Sequence, residues 1–419
     1  MSSSGRYQAL KGMRDILPPD IYVWQNIEHA AREIFSSYGF QEIRPPVAES
    51  TGVFTRSIGE NTDIVEKEMY TFNDKAGRSI SLRPEGTASV VRCYVENHLH
   101  NLPAPQKYFY SGPMFRYERP QSGRFRQFFQ IGVEAFGSGR PEMDAEVLSM
   151  LRHFLERIGL SSLRFQINSI GCAQCRPAYR EALLGFFSGR VDGLCTDCRR
   201  RYDVNPLRIL DCKVPGCIAE RKGAPKVTEY LCSECREHFD RLQSLLGKLG
   251  VPYSVNSDMV RGLDYYTRTT FEVTSENLGA QNAVAAGGRY DRLVREFGGP
   301  ETPAVGFAVG MERIVELVKM SVEAALPSPR AFIANLGIRA GDEGLLIADR
   351  LREKGIWVEV GDSESSLKSQ MRRADRISAE YVFILGDEEI DSGRVKWKKL
   401  GDSTNGEILI AEITEFILK

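Results

Sequence analysis

Residues 112–137 read GPMFRYERPQSGRFRQFFQIGVEAFG. Arg116 and Glu118 close one strand-like run, a polar loop follows from Arg119 to Gly123, and Arg124, Phe128, Gln130 and Glu134 open the next. Two such runs joined by a short loop make an antiparallel hairpin. Successive side chains on a strand point to opposite faces, so Phe128, Gln130 and Glu134 project toward one site. Arginines beside an aromatic ring suit a nucleotide, because a guanidinium grips phosphate oxygens in a fork and a ring stacks on a base. A solvated hairpin with a few salt bridges has the same composition, so the stretch alone leaves both readings open.

Outward from the hairpin, β-like runs recur at EMYTFND, SISLRPEG and RGLDYYTRTTFEVTS with few helices between them. That pattern predicts an α+β class built on an antiparallel sheet rather than repeated βαβ units. Apolar residues at Val23, Ile27, Ala30, Ala31, Ile34, Phe35 and Tyr38 predict an amphipathic helix that opens at Asp20 and stops at Gly39. Ala145, Leu148, Leu151, Leu155 and Ile158 predict a second one between Pro141 and Gly159. A cysteine-rich, Arg-rich stretch of short helical patterns spans about 170–250 and reads as an insertion, since strand-like sequence resumes beyond it. ALPSPR is a linker. After it, RAFIANLG, a helix over 343–354, IWVEV, the helix SLKSQMRRADRI and EYVFILG alternate as an α/β unit. The expected domains are therefore 1–326, interrupted by the insertion, and 330–419.

The chain has 419 residues, 42% hydrophobic and 26% charged, with 55 Lys and Arg against 56 Asp and Glu. This is ordinary globular usage for two or three domains, and it excludes a global cationic field toward nucleic acid or anionic lipid. No apolar run approaches the length of a membrane-spanning helix, and the N-terminal residues lack the core of a signal peptide, so a cytoplasmic location is expected and no membrane partner. Eight of nine cysteines lie between Cys172 and Cys235. In a reducing compartment they read as thiols or metal ligands rather than disulfides.

RPPVAE, the hairpin and GFAVGMERI occur in the order, and with the character, of the three signature motifs of class II aminoacyl-tRNA synthetases. RGLDYYTRTTFE (261–272) and AAGGRYDRL (285–293) resemble the two signatures of the histidyl-tRNA synthetases, bacterial type. The resemblance covers nearly the whole chain. It implies a class II catalytic domain, an anticodon-binding α/β domain and ligation of L-histidine to tRNA(His) through a histidyl-adenylate. ATP would be the co-substrate, with Mg²⁺ accompanying it, and the first motif would form a homodimer interface. Arg116 would hold the ATP α-phosphate, Phe128 stack on adenine, Arg313 clamp the γ-phosphate, and Glu118 and Arg124 complete the ATP site. Glu85, Thr87, Gln130 and Glu134 would receive the α-ammonium of histidine, while Tyr265, Tyr266 and Tyr290 line the imidazole pocket. Arg261 would stabilise the charge that builds on phosphate and carboxylate, a task given to a metal ion in related enzymes. Arg119, Gln121 and Arg124 are candidates for the acceptor end of tRNA. The same resemblance admits a non-catalytic paralogue that senses ligand, but such relatives typically lose RGLDYY and the C-terminal domain; it also admits a sensor of uncharged tRNA, which would have degraded ATP arginines, whereas Arg116, Arg261 and Arg313 are intact.

Cys172-x-x-Cys175, Cys195-x-x-Cys198 and Cys232-x-x-Cys235 have the spacing of thiolate knuckles, and Cys212 with Cys217 makes a looser fourth pair. Eight thiols suffice for two four-thiolate structural Zn²⁺ sites, but the spacing does not say which pairs share a metal. Cys93 stands apart and reads as a core position. From Arg330 onward, 14 basic residues face 17 acidic ones, so any tRNA contact there rests on local clusters: Arg372, Arg373 and Arg376 on a helix, and Lys396, Lys398 and Lys399 on or near a strand.

Overall fold

The arginine-rich hairpin forms as two strands of ten residues, Gln106–Phe115 and Gln127–Phe136, paired so that Met114 faces Phe128 and Gly112 faces Gln130. Arg116, Glu118 and Arg124 lie just beyond the strand ends rather than within them, although Arg116 continues the ladder by donating its backbone N–H to Arg126. The computed structural model describes residues 7–59, 62–121, 123–278, 282–321, 326–402 and 404–418. The chain divides into two units, Met1–Ala324 and Ala325–Lys419.

In the first unit the hairpin belongs to an eight-stranded sheet. From one edge its order is Gln41–Glu42, Gln106–Phe115, Gln127–Phe136, Ala304–Gly310, Ala283–Arg289, Thr267–Thr274, Arg164–Ser169 and Tyr253–Val255. The six inner strands are antiparallel, as the sequence pattern predicts, whereas the strand at each edge pairs in parallel with its neighbour. Both exceptions follow long connections, the only kind that brings a strand back in the same direction.

The two faces of this sheet differ in residue size. Ile131, Val133, Ala135, Val305, Phe307, Val309, Phe271 and Val273 bury one face against the helices Asp20–Ser37, Pro141–Arg157 and Met311–Ser321. Phe35 sits at the centre of that layer, with its ring within 6.0 Å of Phe109, Phe154 and Phe307; emptying the position costs about 3–5 kcal/mol. On the other face Gly132, Gly306, Ala308, Gly310, Ala286 and Gly288 leave a floor almost without side chains. Across it Glu134, Gly306 and Gly288 are register neighbours. A Cβ at Gly306 would run into the Glu134 carboxylate and one at Gly287 into the Gly306 carbonyl, so these glycines are required by close approach.

The Cys-rich region follows strand Arg164–Ser169 and is built from the helices Cys175–Phe187, Thr196–Val204, Pro215–Glu220 and Ser233–Lys248. Cys93 departs from its core reading. Val90, Val91 and Tyr94 form the buried stripe of helix Thr87–Glu96, and Cys93, off that stripe, is half-buried with Asn97 Nδ2 at 3.4 Å from its sulfur.

The second unit is a five-stranded sheet ordered Val358–Val360, Ala331–Asn335, Tyr381–Leu385, Arg394–Lys399, Asn405–Leu409. The first three strands are parallel and the last two antiparallel. Its first helix, Ile338–Glu353, begins earlier than the expected residue 343 because Gly337 (φ 95°) turns the chain directly into it. Among the described residues no helix is long and apolar enough to cross a membrane.

Candidate active site

Glu85, Thr87, Arg116, Glu118, Arg124, Phe128, Gln130, Glu134, Arg261, Tyr265, Tyr266, Tyr290 and Arg313, all thirteen singled out from the sequence, line one cavity above the small-residue floor. It holds about 1080 Å³ of atom-free space, mouth included. Phe128 and Glu134 are six positions apart on one strand, so the cavity extends roughly 20 Å along it.

One part of it is basic and aromatic. The Arg116 guanidinium lies 5.2 Å from the centre of the Phe128 ring, and its Nε donates to the Pro84 carbonyl at 2.8 Å. Arg124 pairs with Glu118. Arg313 Nη1 donates to the Ala283 carbonyl at 2.5 Å. Burial, with Arg124 and Arg116 close by, holds the Arg313 pKa below its ordinary value, the mark of crowded cations that an anion would relieve.

The other part carries buried carboxylates that form no ion pair among the described residues, Glu85 feeling Arg116 only as a weaker, lowering influence. Glu85 accepts from the backbone N–H groups of Thr87 and Ala88 at 2.7 and 2.8 Å, at the start of helix Thr87–Glu96. Glu134 accepts from Thr87 Oγ1 at 2.6 Å and from the Tyr290 hydroxyl. Burial pushes the Glu134 carboxyl up to about 8 against those hydrogen bonds, with Glu85 adding to the rise. Burial likewise raises Glu85. Two desolvated acids facing a cavity create a strong preference for a positively charged group. Tyr265, Tyr266 and Tyr290 wall this end, with ring centres 4.7 and 5.7 Å apart. Burial keeps their hydroxyls protonated, Tyr266 being pushed up to about 12, so each retains a proton to donate, as Tyr290 does to Glu134. Arg261 reaches Glu272 at 3.5 Å through Nη1, while its Nε is buried without a hydrogen-bond partner among the described residues.

A family model described as histidyl-tRNA synthetase matches residues 12–175 and 218–314, and one described as an anticodon binding domain matches residues 330–419. The chain belongs to the histidyl-tRNA synthetase family. It is 52% identical over 412 residues to the histidine–tRNA ligase of Thermodesulfovibrio yellowstonii, covering 98% of each chain. With that of Syntrophotalea carbinolica it shares 50% over 419 residues, 100% of this chain and 99% of the relative. The crystal structure of apo histidyl-tRNA synthetase from S. aureus superposes with a TM-score of 0.84 at 35% identity, covering 99% of this chain and 100% of the other.

The cavity contains groups that sequence reading does not single out. Glu312 lines it and accepts from the Phe129 N–H at 3.1 Å; burial pushes its carboxyl up to about 7. Its adjacency to Arg313 is the one signal that points to it. Arg83 is buried and donates to the carbonyls of Pro45 and Pro113, both at 2.9 Å. It thereby ties the RPP turn to the hairpin and fixes the loop that carries Glu85. Nothing in RPEG distinguishes this arginine from a ligand-binding one.

The eight clustered cysteines fall into two groups, Cys172/Cys175/Cys232/Cys235 and Cys195/Cys198/Cys212/Cys217, with all sulfurs of a group within 4.8 Å of one another. Sγ–Sγ distances of 3.7 and 3.9 Å in the first group and 3.9 Å in the second match the roughly 3.8 Å edges of a tetrahedron with ~2.3 Å Zn–S bonds. The donor set fits Zn²⁺, and a four-thiolate shell leaves no open position for catalysis.

Proposed function

We propose that the chain activates L-histidine with ATP and transfers it to tRNA(His), releasing diphosphate and AMP. One observation carries this reading: a single cavity joins an arginine–phenylalanine end suited to a nucleotide with an end whose buried acids demand a cation and whose tyrosines offer donors. An amino acid presents that cation as its ammonium, and a histidine ring presents nitrogens to tyrosine hydroxyls.

In the first step a carboxylate oxygen of histidine bonds to the α-phosphorus of ATP and the bond to the diphosphate oxygen breaks. The nucleophile is already ionised and needs no base. Glu85 and Glu134, with Thr87 and Gln130, hold the ammonium. Phe128 stacks on the adenine, Arg116 holds the α-phosphate, Arg313 the γ-phosphate, and Arg124 and Glu118 support them. Arg261 places its unpaired N–H against the charge that develops on phosphate and carboxylate, where a fixed donor in a water-poor site acts most strongly. Mg²⁺ would accompany ATP as part of the substrate and would offset charge on the departing diphosphate. In the second step the terminal ribose hydroxyl of tRNA attacks the acyl carbon and AMP leaves.

The second unit binds the anticodon end. There Arg373, Lys396 and Lys399 are engaged by Glu359, Glu389 and Glu380, whereas Arg372, Arg376 and Lys398 have no carboxylate partner among the described residues, so they are the cations offered to tRNA. The reading includes a cytoplasmic homodimer and structural Zn²⁺ in both cysteine groups, which supplies cross-links that the small insertion needs to fold. The test is histidine-dependent ATP–diphosphate exchange with wild type and Arg261→His. Wild-type exchange that falls at least a hundredfold in the variant supports the reading; no exchange by wild type favours a ligand-sensing paralogue.

A further inference from the structure

Arg261, Tyr265 and Tyr266 lie on an irregular segment that precedes strand Thr267–Thr274 and belongs to no helix or strand. Without a ladder of its own, that segment is held by what grips its polar groups. The rest of the catalytic unit supplies two grips: the Asp264 N–H donates to the carbonyl of Ile58, at the end of helix Thr51–Ile58, at 3.3 Å, and Glu272 of the strand meets Arg261 at 3.5 Å. Four more grips come from the Cys-rich insertion. Arg208 Nη2 donates to the Gly262 carbonyl at 2.9 Å and to Asp264 Oδ1 at 3.0 Å. Asn205 Nδ2 donates to the same oxygen at 3.3 Å, and Arg176 donates to the Tyr266 carbonyl. Arg261 and Leu263 also line a second cavity of about 1210 Å³, whose other wall includes Arg176 and Arg208. The insertion therefore abuts the back of the catalytic segment.

Each of these four grips is tied to a cysteine group. Arg176 directly follows Cys175, while Asn205 and Arg208 lie in the stretch between Cys198 and Cys212. That stretch also reaches across to the segment after helix Thr51–Ile58, through Arg201 to Asp63 at 2.8 Å and Arg200 to Glu66 at 3.0 Å. Its own apolar core is small: Tyr179, Leu183, Phe187, Leu194, Ile209, Leu210 and Val227, completed by three cysteines of the second group. A core of that size gives limited order of its own, so a metal cross-link there would add to what holds Arg208 in place. All four cysteines of this group fall between the two matched segments of the family model.

We infer that the second cysteine group, Cys195/Cys198/Cys212/Cys217, is a metal-dependent brace for the active site: its occupancy fixes Arg208, and Arg208 positions the segment carrying Arg261, Tyr265 and Tyr266. Arg208 is a positioning residue, acting through the Gly262 carbonyl and Asp264. The inference rests on the zinc reading above and extends it from folding of the insertion to control of histidine activation.

The experiment uses the full-length chain as purified, after removal of metal with a chelator, and after zinc is restored. Backbone hydrogen exchange read by mass spectrometry is expected to speed up on metal removal in both 195–212 and 262–266, and to slow again with zinc. Loss of protection in 195–212 with none in 262–266 overturns the inference. In a second arm Arg208→Ala retains its zinc, its Tm and its KM for ATP, while kcat/KM for histidine in diphosphate exchange falls about tenfold, a loss typical of slight misplacement. Arg208→Lys recovers most of it, since an ammonium can still reach the Gly262 carbonyl. Unchanged kinetics in Arg208→Ala, or a parallel loss of zinc and of every kinetic constant, overturns the positioning role. Absence of exchange by zinc-loaded wild type would instead count against the proposed reaction, and the hydrogen-exchange arm remains readable without any activity.

Discussion

Asp144 and Glu134 are both fully buried acids in the same unit, yet they are satisfied in different ways. Asp144 meets Arg289, also fully buried, at 2.7 Å, and accepts from Thr269 Oγ1 at 2.7 Å. The rest of the Arg289 fork goes to Asp291 at 3.0 Å and to the carbonyls of Ser138 and Arg140 at 2.8 and 3.1 Å. His238 lies 3.4 Å from the same aspartate, and burial together with Arg289 and Arg268 holds its pKa down at about 4, so it adds no charge. Glu134 has hydroxyl partners and no cation among the described residues. At Asp144 the chain supplies both charges of a closed pair; at Glu134 it supplies a carboxyl held neutral by burial, and on the proposed reading the cation that would ionise it comes with the ligand. The two arrangements are adjacent in sequence, since Arg289 of the GGRYD string closes the structural pair and Tyr290 donates to Glu134.

The largest effect should come from breaking the closed pair. Arg289→Met leaves Asp144 buried without its partner, and we expect about 3–5 kcal/mol of lost stability, read as a large fall in unfolding midpoint or failure to accumulate folded protein. A variant as stable as wild type would remove the contrast. Next comes Glu134→Gln. It should lower kcat/KM for histidine about 10- to 100-fold, the worth of a hydrogen bond to a charged group, while the unfolding midpoint stays the same or rises. Parallel loss of stability would make Glu134 a structural residue after all.

A smaller effect is expected from pH. Because the Glu134 pKa is raised to about 8, its neutral form is favoured in the ligand-free fold. Its contribution to stability is present below the ordinary glutamic acid range and is lost as pH rises through about 8. Binding runs the opposite way: an ammonium requires the carboxylate, so histidine affinity should rise up to tenfold per pH unit below 8 and flatten above it. Calorimetry in buffers of different ionisation enthalpy should show a proton released on binding, and Glu134→Gln should abolish that component, leaving only the imidazole's own titration. Last, Asp291→Asn removes the half-exposed partner of Arg289 and leaves Asp144 in place. Its cost should stay below about 1 kcal/mol, and a cost comparable to that of Arg289→Met would show that the buried pair is not the principal contact.

Much of the site was legible before any coordinates because its residues sit in short strings with chemistry of their own: RPEGT, FRYER, RGLDYY, GGRYD and MER. The thirteen residues come from five segments, and alternation on a strand is enough to say that Phe128, Gln130 and Glu134 face together. Arg83 and Arg289 show where such reading stops. Both stand inside these strings, yet one ties loops together and the other pairs with an aspartate 145 residues away. Residue type cannot separate an arginine that binds from one that braces, because both need a buried acceptor and only the fold says whose.

The sequence by itself determined the residue types at the cavity, the antiparallel character of the inner sheet, the amphipathic helices and the number of cysteine knuckles, all of which are set by local spacing and period. Tertiary structure decided which knuckles meet. Cys172-x-x-Cys175 closes on Cys232-x-x-Cys235 around the whole insertion, while Cys195, Cys198, Cys212 and Cys217 assemble inside it. It also decided that the parallel strands lie at the edges of the sheet and that a row of glycines clears the floor beneath Glu134. These outcomes depend on which distant segments come within a few ångströms of one another, and such closeness is a property of the packed chain that short-range pattern does not carry.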